Sequence, residues 1–213
     1  MGSEKQIVFN SNEDRSKVVD QALADQGVLL ALVDNLSADQ RRIRQFSATA
    51  IKEISSKSPE ALVAHVDSIA DGLHRPEAQT RWECLETLSF LAPFNPPSLD
   101  VAVEGAEESL FDEDNGHARL AALRFLCAYG ALDCERATEV WPLIEEGIQC
   151  YHGDPEFEEM LASVEFFAAG DIGSPVRQLV VKRLQFDADN SKGSIGRRAS
   201  SIVALCKTGQ KHH

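Results

Sequence analysis

Arg81–Leu91 reads RWECLETLSFL, an apolar-striped helical stretch introduced by Pro76-Glu77. The same design returns four more times. Placing Arg44, Arg81, Arg119, Glu159 and Arg198 in register gives spacings of 37, 38, 40 and 39 residues. Three places after each anchor stand Ser47, Cys84, Ala122, Ala162 and Ser201, all small. Seven places after stand Ile51, Leu88, Leu126, Phe166 and Leu205, all large and apolar. A period of this size carrying a helical pattern is the mark of a stacked repeat array. On this reading Leu88, Leu126 and Phe166 are core residues.

Composition agrees. The 213 residues are 43% apolar and 26% charged, enough to bury a core without reading as disordered. Aromatics make up only 7%, and Val, Thr and Tyr do not gather in alternating runs, so a sheet is not expected. No run is long enough to cross a bilayer, and MGSEKQIVF has no apolar core of the secretory kind. The expected setting is the cytoplasm. The five cysteines, 84, 127, 134, 150 and 206, are odd in number and show no CxxC spacing. They read as small buried hydrophobes and not as a disulfide or zinc framework.

The formal charge of −13 is unevenly spread. Residues 1–99 hold 14 acids and 10 bases, residues 100–165 hold 17 and 3, and the remainder 3 and 8. An acidic middle repels phosphate backbones, so nucleic acid is disfavoured as a partner.

Punctuation places the helices. Residues 1–12 lack periodicity and read as a loose arm; Ser11–Asp14 then starts a helix to about 25, and Val28–Leu36 makes another. Ser37-Ala-Asp-Gln40 has the form of a capping box, and Ser58-Pro59-Glu60 sets a hydroxyl cap before a proline at the first helical position. The resulting repeat helices are expected at 38–56, 59–73, 76–92, 98–111, 115–131, 134–151, 155–169, 174–186 and 194–208. Pro142 should kink or divide its helix. Residues 13–209 thus form one helical repeat domain, and 210–213 a tail that reads as a tag remnant. Each hairpin exposes two apolar flanks that only a neighbouring repeat can cover.

The chain resembles a HEAT-like α-solenoid, of the class that includes armadillo repeats. The resemblance covers residues 28–208 and rests on the period, the apolar columns and the acid-then-arginine turns Asp39…Arg44, Glu77…Arg81 and Asp114…Arg119. It implies an all-α fold, a right-handed α-α superhelix of about five helical hairpins. It also implies a ladder between those acids and arginines of neighbouring repeats, broken at Glu159, where arginine is missing.

No catalytic signature is present: HExxH, GxSxG, GxGxxG and GxxxxGK[ST] are all absent. His152-Gly-Asp154 has weak metal-binding character, but Asp154 reads better as a helix cap, and no cofactor is expected. An alternative is a DNA glycosylase built on HEAT-like repeats, or another nucleic-acid enzyme, with Trp82 and Trp141 stacking on bases. Such an enzyme needs a basic face, whereas Glu83, Glu86, Glu159 and Glu165 occupy these repeats.

What remains is surface. The resemblance places the second helix of each pair on the concave side. The positions opposite the buried columns there assemble Phe46, Trp82, Glu83, Glu86, Phe90, Arg124, Met160 and Leu161 into an apolar strip with charge beside it. Such a strip marks a binding site. The reading is a non-enzymatic interaction or scaffold module, monomeric or weakly dimeric, whose groove takes a protein or peptide with basic and apolar groups and has no business with membranes.

Overall fold

The structure, a computed structural model, describes residues 14–96 and 98–209. The arm expected over 1–12, the Ser11 helix start and the tail over 210–213 lie outside the described residues. Among the described residues there is no strand, and the chain groups into two compact units, Met1–Ser109 and Leu110–His213.

In the first unit, α1 (Arg15–Ala24) and α2 (Gln26–Asp34) precede the repeats. The Asp25 carboxylate accepts from the Gly27 amide at 2.8 Å and so caps α2. The first repeated helix, α3, runs Arg41–Lys57 and not from 38. Ser37 turns its hydroxyl back to the Asp34 carbonyl at 2.8 Å, so the expected capping box does not form. Ser58 likewise donates to Glu60 Oε1 at 2.6 Å and leaves the helix amides alone. The segment after it, Pro59–His74, winds as 3-10 turns on both sides of the short helix α4 (Val66–Ala70). It still buries Leu62, Val66, Ile69 and Leu73.

α5 (Ala78–Leu91) lies beside α3. Between them sits the core of the unit, with Ala48, Ile51 and Ile54 from one helix and Cys84, Leu85, Leu88 and Leu91 from the other. Burying each large aliphatic side chain here contributes about 1.5–3 kcal/mol. The small column has its purpose at Gly72, where a Cβ would stand 2.5 Å from Cys84 Sγ. The unit continues through a 3-10 turn, Leu99–Ala102, into α6 (Val103–Leu110).

The second unit contains α7 (Gly116–Gly130), α8 (Cys134–Cys150), α9 (Phe157–Ala169), α10 (Gly173–Asn190) and α11 (Gly193–Gly209). Asn115 caps α7 through the Ala118 amide at 3.0 Å, and Asp133 caps α8 through the amides of Glu135 and Arg136. α8 runs unbroken through Pro142, which does not divide it. Both Pro142 and Thr138, whose carbonyl loses its usual partner to the proline, are exposed, so water can take that carbonyl. α7 is the central helix, packed by α8 and α9, and most of its residues are buried. At Gly130 a Cβ would stand 2.7 Å from both Phe167 and Val140, so only glycine lets these helices close.

α9 corrects the expected register. Phe166, assigned to the core, is 56% exposed, and Phe167 is buried against Trp141, with ring centroids 6.1 Å apart. In α11 the same slip occurs: Leu205 is half-buried and Cys206 fully buried. At the small column, too, the buried residue stands one place later, Ser163 and not Ala162, Ile202 and not Ser201, so in α11 the position is not small. The cause is local. In α9 the fourth anchor is a glutamate with no turn to grip, and the packing follows Phe157, Leu161, Val164 and Phe167, which recur at helical steps. In α11 the anchor Arg198 is an arginine but pairs with Glu165 of α9.

Within each unit the helices pack on their partner in the hairpin, as α7 on α8 and α10 on α11, and on the matching helix of the next repeat, as α3 on α5, α7 on α9, α9 on α11 and α8 on α10. Cys84, Cys127 and Cys206 are buried, and Cys134 and Cys150 are exposed. Burial pushes the Cys84 thiol up to about 12 and also raises those of Cys127 and Cys206, so none of the three supplies a thiolate.

Candidate functional site

The anchor arginines show why the turns repeat. Arg44 Nη1 donates to the carbonyls of Ala38 and Asp39, Arg81 Nη1 to those of Arg75 and Pro76, and Arg119 Nη1 to those of Asp112 and Glu113. One guanidinium nitrogen therefore ties down the turn before each of three second helices. The same side chains reach the next repeat. Arg44 pairs with Glu77 through both carboxylate oxygens, and Arg119 with Asp154 at 3.4 Å. The guanidinium of Arg44 holds the Glu77 carboxyl below its ordinary range. At the fourth pair, where arginine is missing, the cross-link is His152 Nε2 to Asp187 Oδ1 at 2.9 Å. His152 and Asp154 thus face different partners, and among the described residues no group of three His, Cys, Asp or Glu is placed to hold a metal.

The first unit presents a surface made by α3 and α5. Phe46 and Trp82 are half-buried on it, and Phe90 is 45% exposed. A polar ladder joins the two helices beside them. Gln79 donates to Thr49 Oγ1 at 3.3 Å, and the Thr49 hydroxyl lies 3.4 Å from Glu83 Oε1 while bonding back to the Gln45 carbonyl. Lys52 Nζ stands 2.7 Å from Glu86 and 3.5 Å from Glu83, and Arg15 meets Glu53 at 2.6 Å.

Glu83 is the unusual member. Its side chain is only 8% exposed, and its Oε2 is buried without accepting a hydrogen bond. Burial raises its carboxyl above the ordinary range, and the charge of Glu86 adds to this against the opposing pull of Lys52. Burial alone would lower the Lys52 ammonium, but Glu86 and Glu83 outweigh it and the ammonium is raised.

The second unit presents a different surface. Arg124 pairs with Glu159, Arg198 Nη1 with Glu165 at 2.7 Å, and Ser201 donates to Glu165. Glu158 accepts from Ser194 at 2.8 Å. Met160 and Leu161, expected on the binding strip, are both completely buried and cannot be anchors. The one-residue slip of α9 turns them inward and sends Phe166 out, with half-buried Ala162 and exposed Ala169 on the same face. Of the eight residues in the expected strip, Phe46, Trp82, Glu83, Glu86 and Phe90 share the α3–α5 surface. Arg124 lies on the α7–α9 surface.

Two functional candidates escaped the sequence reading. Phe166 was masked by the register. Lys52 stands eight places after its anchor, in the column that holds Cys127 and Cys206, and a charge among such residues is a signal that could have found it.

No protein-family model matches this sequence, and no curated protein matches it either. Solved structures do. A designed armadillo repeat protein in complex with the peptide (KR)4 is 12% identical, with a TM-score of 0.72 over 92% of this chain and 88% of that one. The armadillo-repeats-only protein ARO from Plasmodium falciparum is 16% identical, with a TM-score of 0.64 over 94% of this chain and 100% of its own. The archaeal HEAT-like repeats protein from Thermococcus onnurineus NA1 is 13% identical, with a TM-score of 0.56 over 93% and 94% of the two chains. The chain has the armadillo/HEAT-like repeat fold. The likeness extends no further than fold. Among the described residues no helix is long and apolar enough to cross a membrane.

Proposed function

We propose that this protein is a non-enzymatic interaction module whose α3–α5 surface binds a protein or peptide segment carrying basic and apolar groups together. The observation that carries the reading is the placement of Glu83 and Glu86 beside half-buried Trp82 and exposed Phe90 on one two-helix face. An aromatic partly withdrawn from water next to carboxylates suits a cationic side chain with an aliphatic stem, which can stack and pair at once. The designed relative that binds (KR)4 supports the kind of partner by analogy of fold. Nothing in the acidic surface favours nucleic acid.

The test is to recover partners from the native host and measure their binding to Trp82→Ala and to the double variant Glu83→Lys/Glu86→Lys, each first checked for folding. The expected outcome is a loss of about tenfold or more for Trp82→Ala, read mainly in the dissociation rate. The charge reversal should slow association, and added salt should weaken that effect. Unchanged affinity in both variants would remove the α3–α5 surface from consideration.

A further inference from the structure

Resting on that reading of the α3–α5 surface, we infer that Lys52 is an internal occupant of the cation site, and that a partner's guanidinium must displace its ammonium to reach Glu83. The Glu83 carboxylate is in an unfinished state. Its Oε1 is 3.4 Å from the Thr49 hydroxyl, and its Oε2 is shut from solvent yet accepts no hydrogen bond. Lys52 Nζ covers it at 3.5 Å, beyond good hydrogen-bonding distance, while bonding to Glu86 at 2.7 Å. A single ammonium is a point charge on a flexible stem and here serves Glu86 better than Glu83. A guanidinium presents a planar fork of donors and can bond both oxygens of one carboxylate.

Lys52 is also free to leave. Its side chain is 36% exposed, so its head can swing into water while the aliphatic stem stays on the protein. Glu83 cannot follow it, because its side chain is buried. The exchange thus replaces an incomplete fit with a bidentate one, at the cost of the Lys52–Glu86 bond and of drying the incoming guanidinium. It also sets a preference: arginine gains over lysine in the incoming segment, because lysine would only repeat what Lys52 already does.

The experiment uses the full chain and two labelled peptides of equal charge, alternating Arg-Ala and alternating Lys-Ala octapeptides each capped by one leucine. The arginine peptide should bind wild type more tightly than the lysine peptide. Lys52→Met, which keeps the stem and removes the charge, should tighten the arginine peptide by about two- to fivefold, the worth of one partly exposed ion pair. Nitrogen NMR of the lysine ammonium groups gives a reading in wild type that needs no variant: the Lys52 resonance should move as the arginine peptide is added. The inference is overturned if that resonance stays in place while the peptide binds. It is also overturned if a folded Lys52→Met binds no more tightly, or if neither peptide binds any form. If the peptide binds, depends on Trp82 and leaves Lys52 undisturbed, this inference fails and the reading of the surface stands.

Discussion

The second-helix surfaces of the two units use the same fold for opposite electrostatic ends. Within α9 the glutamates are answered at the rim: Glu159 by Arg124, Glu165 by Arg198 and Ser201, Glu158 by Ser194. What shows between these pairs is small and apolar, with Phe166 standing out of it. On α3 and α5 a carboxylate is buried beneath an ammonium that does not fully satisfy it. On the α9 surface the carboxylates are met by this chain's own residues, and the buried atom left without a partner there is a donor, Arg198 Nε. The α3–α5 surface leaves a carboxylate oxygen buried without a hydrogen bond, and this makes it the stronger candidate for recognition.

The contrast depends first on the register of α9. Phe167→Ala should destabilise the protein by about 3–5 kcal/mol, because it empties the space between Trp141, Val140 and Gly130. Phe166→Ala should lie within about 0.5 kcal/mol of wild type. Chemical denaturation of the two variants decides it; the reverse order would return Phe166 to the core and take its ring off the α9 surface.

Next in size is a comparison between two glutamates of the first unit. Glu77→Gln breaks a buried pair with Arg44 and should cost about 3 kcal/mol at neutral pH. The folded-state carboxyl of Glu77 is lowered, so its contribution is present above the unfolded value and is lost as the pH falls through the folded one. Glu83 runs the other way. Its folded-state carboxyl is raised, so its contribution is present below the unfolded value and is lost as the pH rises through the folded one. Glu83→Gln should therefore be neutral or slightly stabilising at pH 7 and lose that advantage on acidification. Denaturation midpoints from pH 3 to 7 would test both signs; a large loss for Glu83→Gln at neutral pH would show that Lys52 satisfies it after all.

The smallest effect is expected at the rim of the second unit. Arg124→Ala should cost no more than about 1 kcal/mol, since the Glu159 side chain it meets is largely exposed and solvent screens the pair. The cost should shrink further in high salt. A loss as great as that of Glu77→Gln would mean that the second surface is as strained as the first.

Much of this was legible in the residues themselves. The period, the short turns and the apolar columns are local properties, and α3, α5, α7 and α8 follow them to within a few residues. The anchor arginines could also be read, because a turn that needs two carbonyls tied down calls for a long, forked donor at a constant spacing. The fourth repeat was harder. Without an arginine to mark the turn, spacing alone chose the anchor, and a shift of one residue turns a helix by about 100°. That rotation exchanges Met160 and Leu161 for Phe166 on the surface. Capping misled for a related reason: Ser37 and Ser58 carry the right hydroxyls but donate elsewhere, and a sequence does not say which of several nearby acceptors wins.

The sequence by itself determined the all-α repeat pattern and the longer helices α3, α5, α7 and α8, though not the 3-10 winding of Pro59–His74, because such helices rest on interactions within a few positions along the chain. Only the tertiary structure decided which face of α9 is buried, and that Glu83 lies under Lys52 from another helix. Those outcomes depend on side chains brought together from distant repeats, where packing space and desolvation, and not local spacing, select the arrangement.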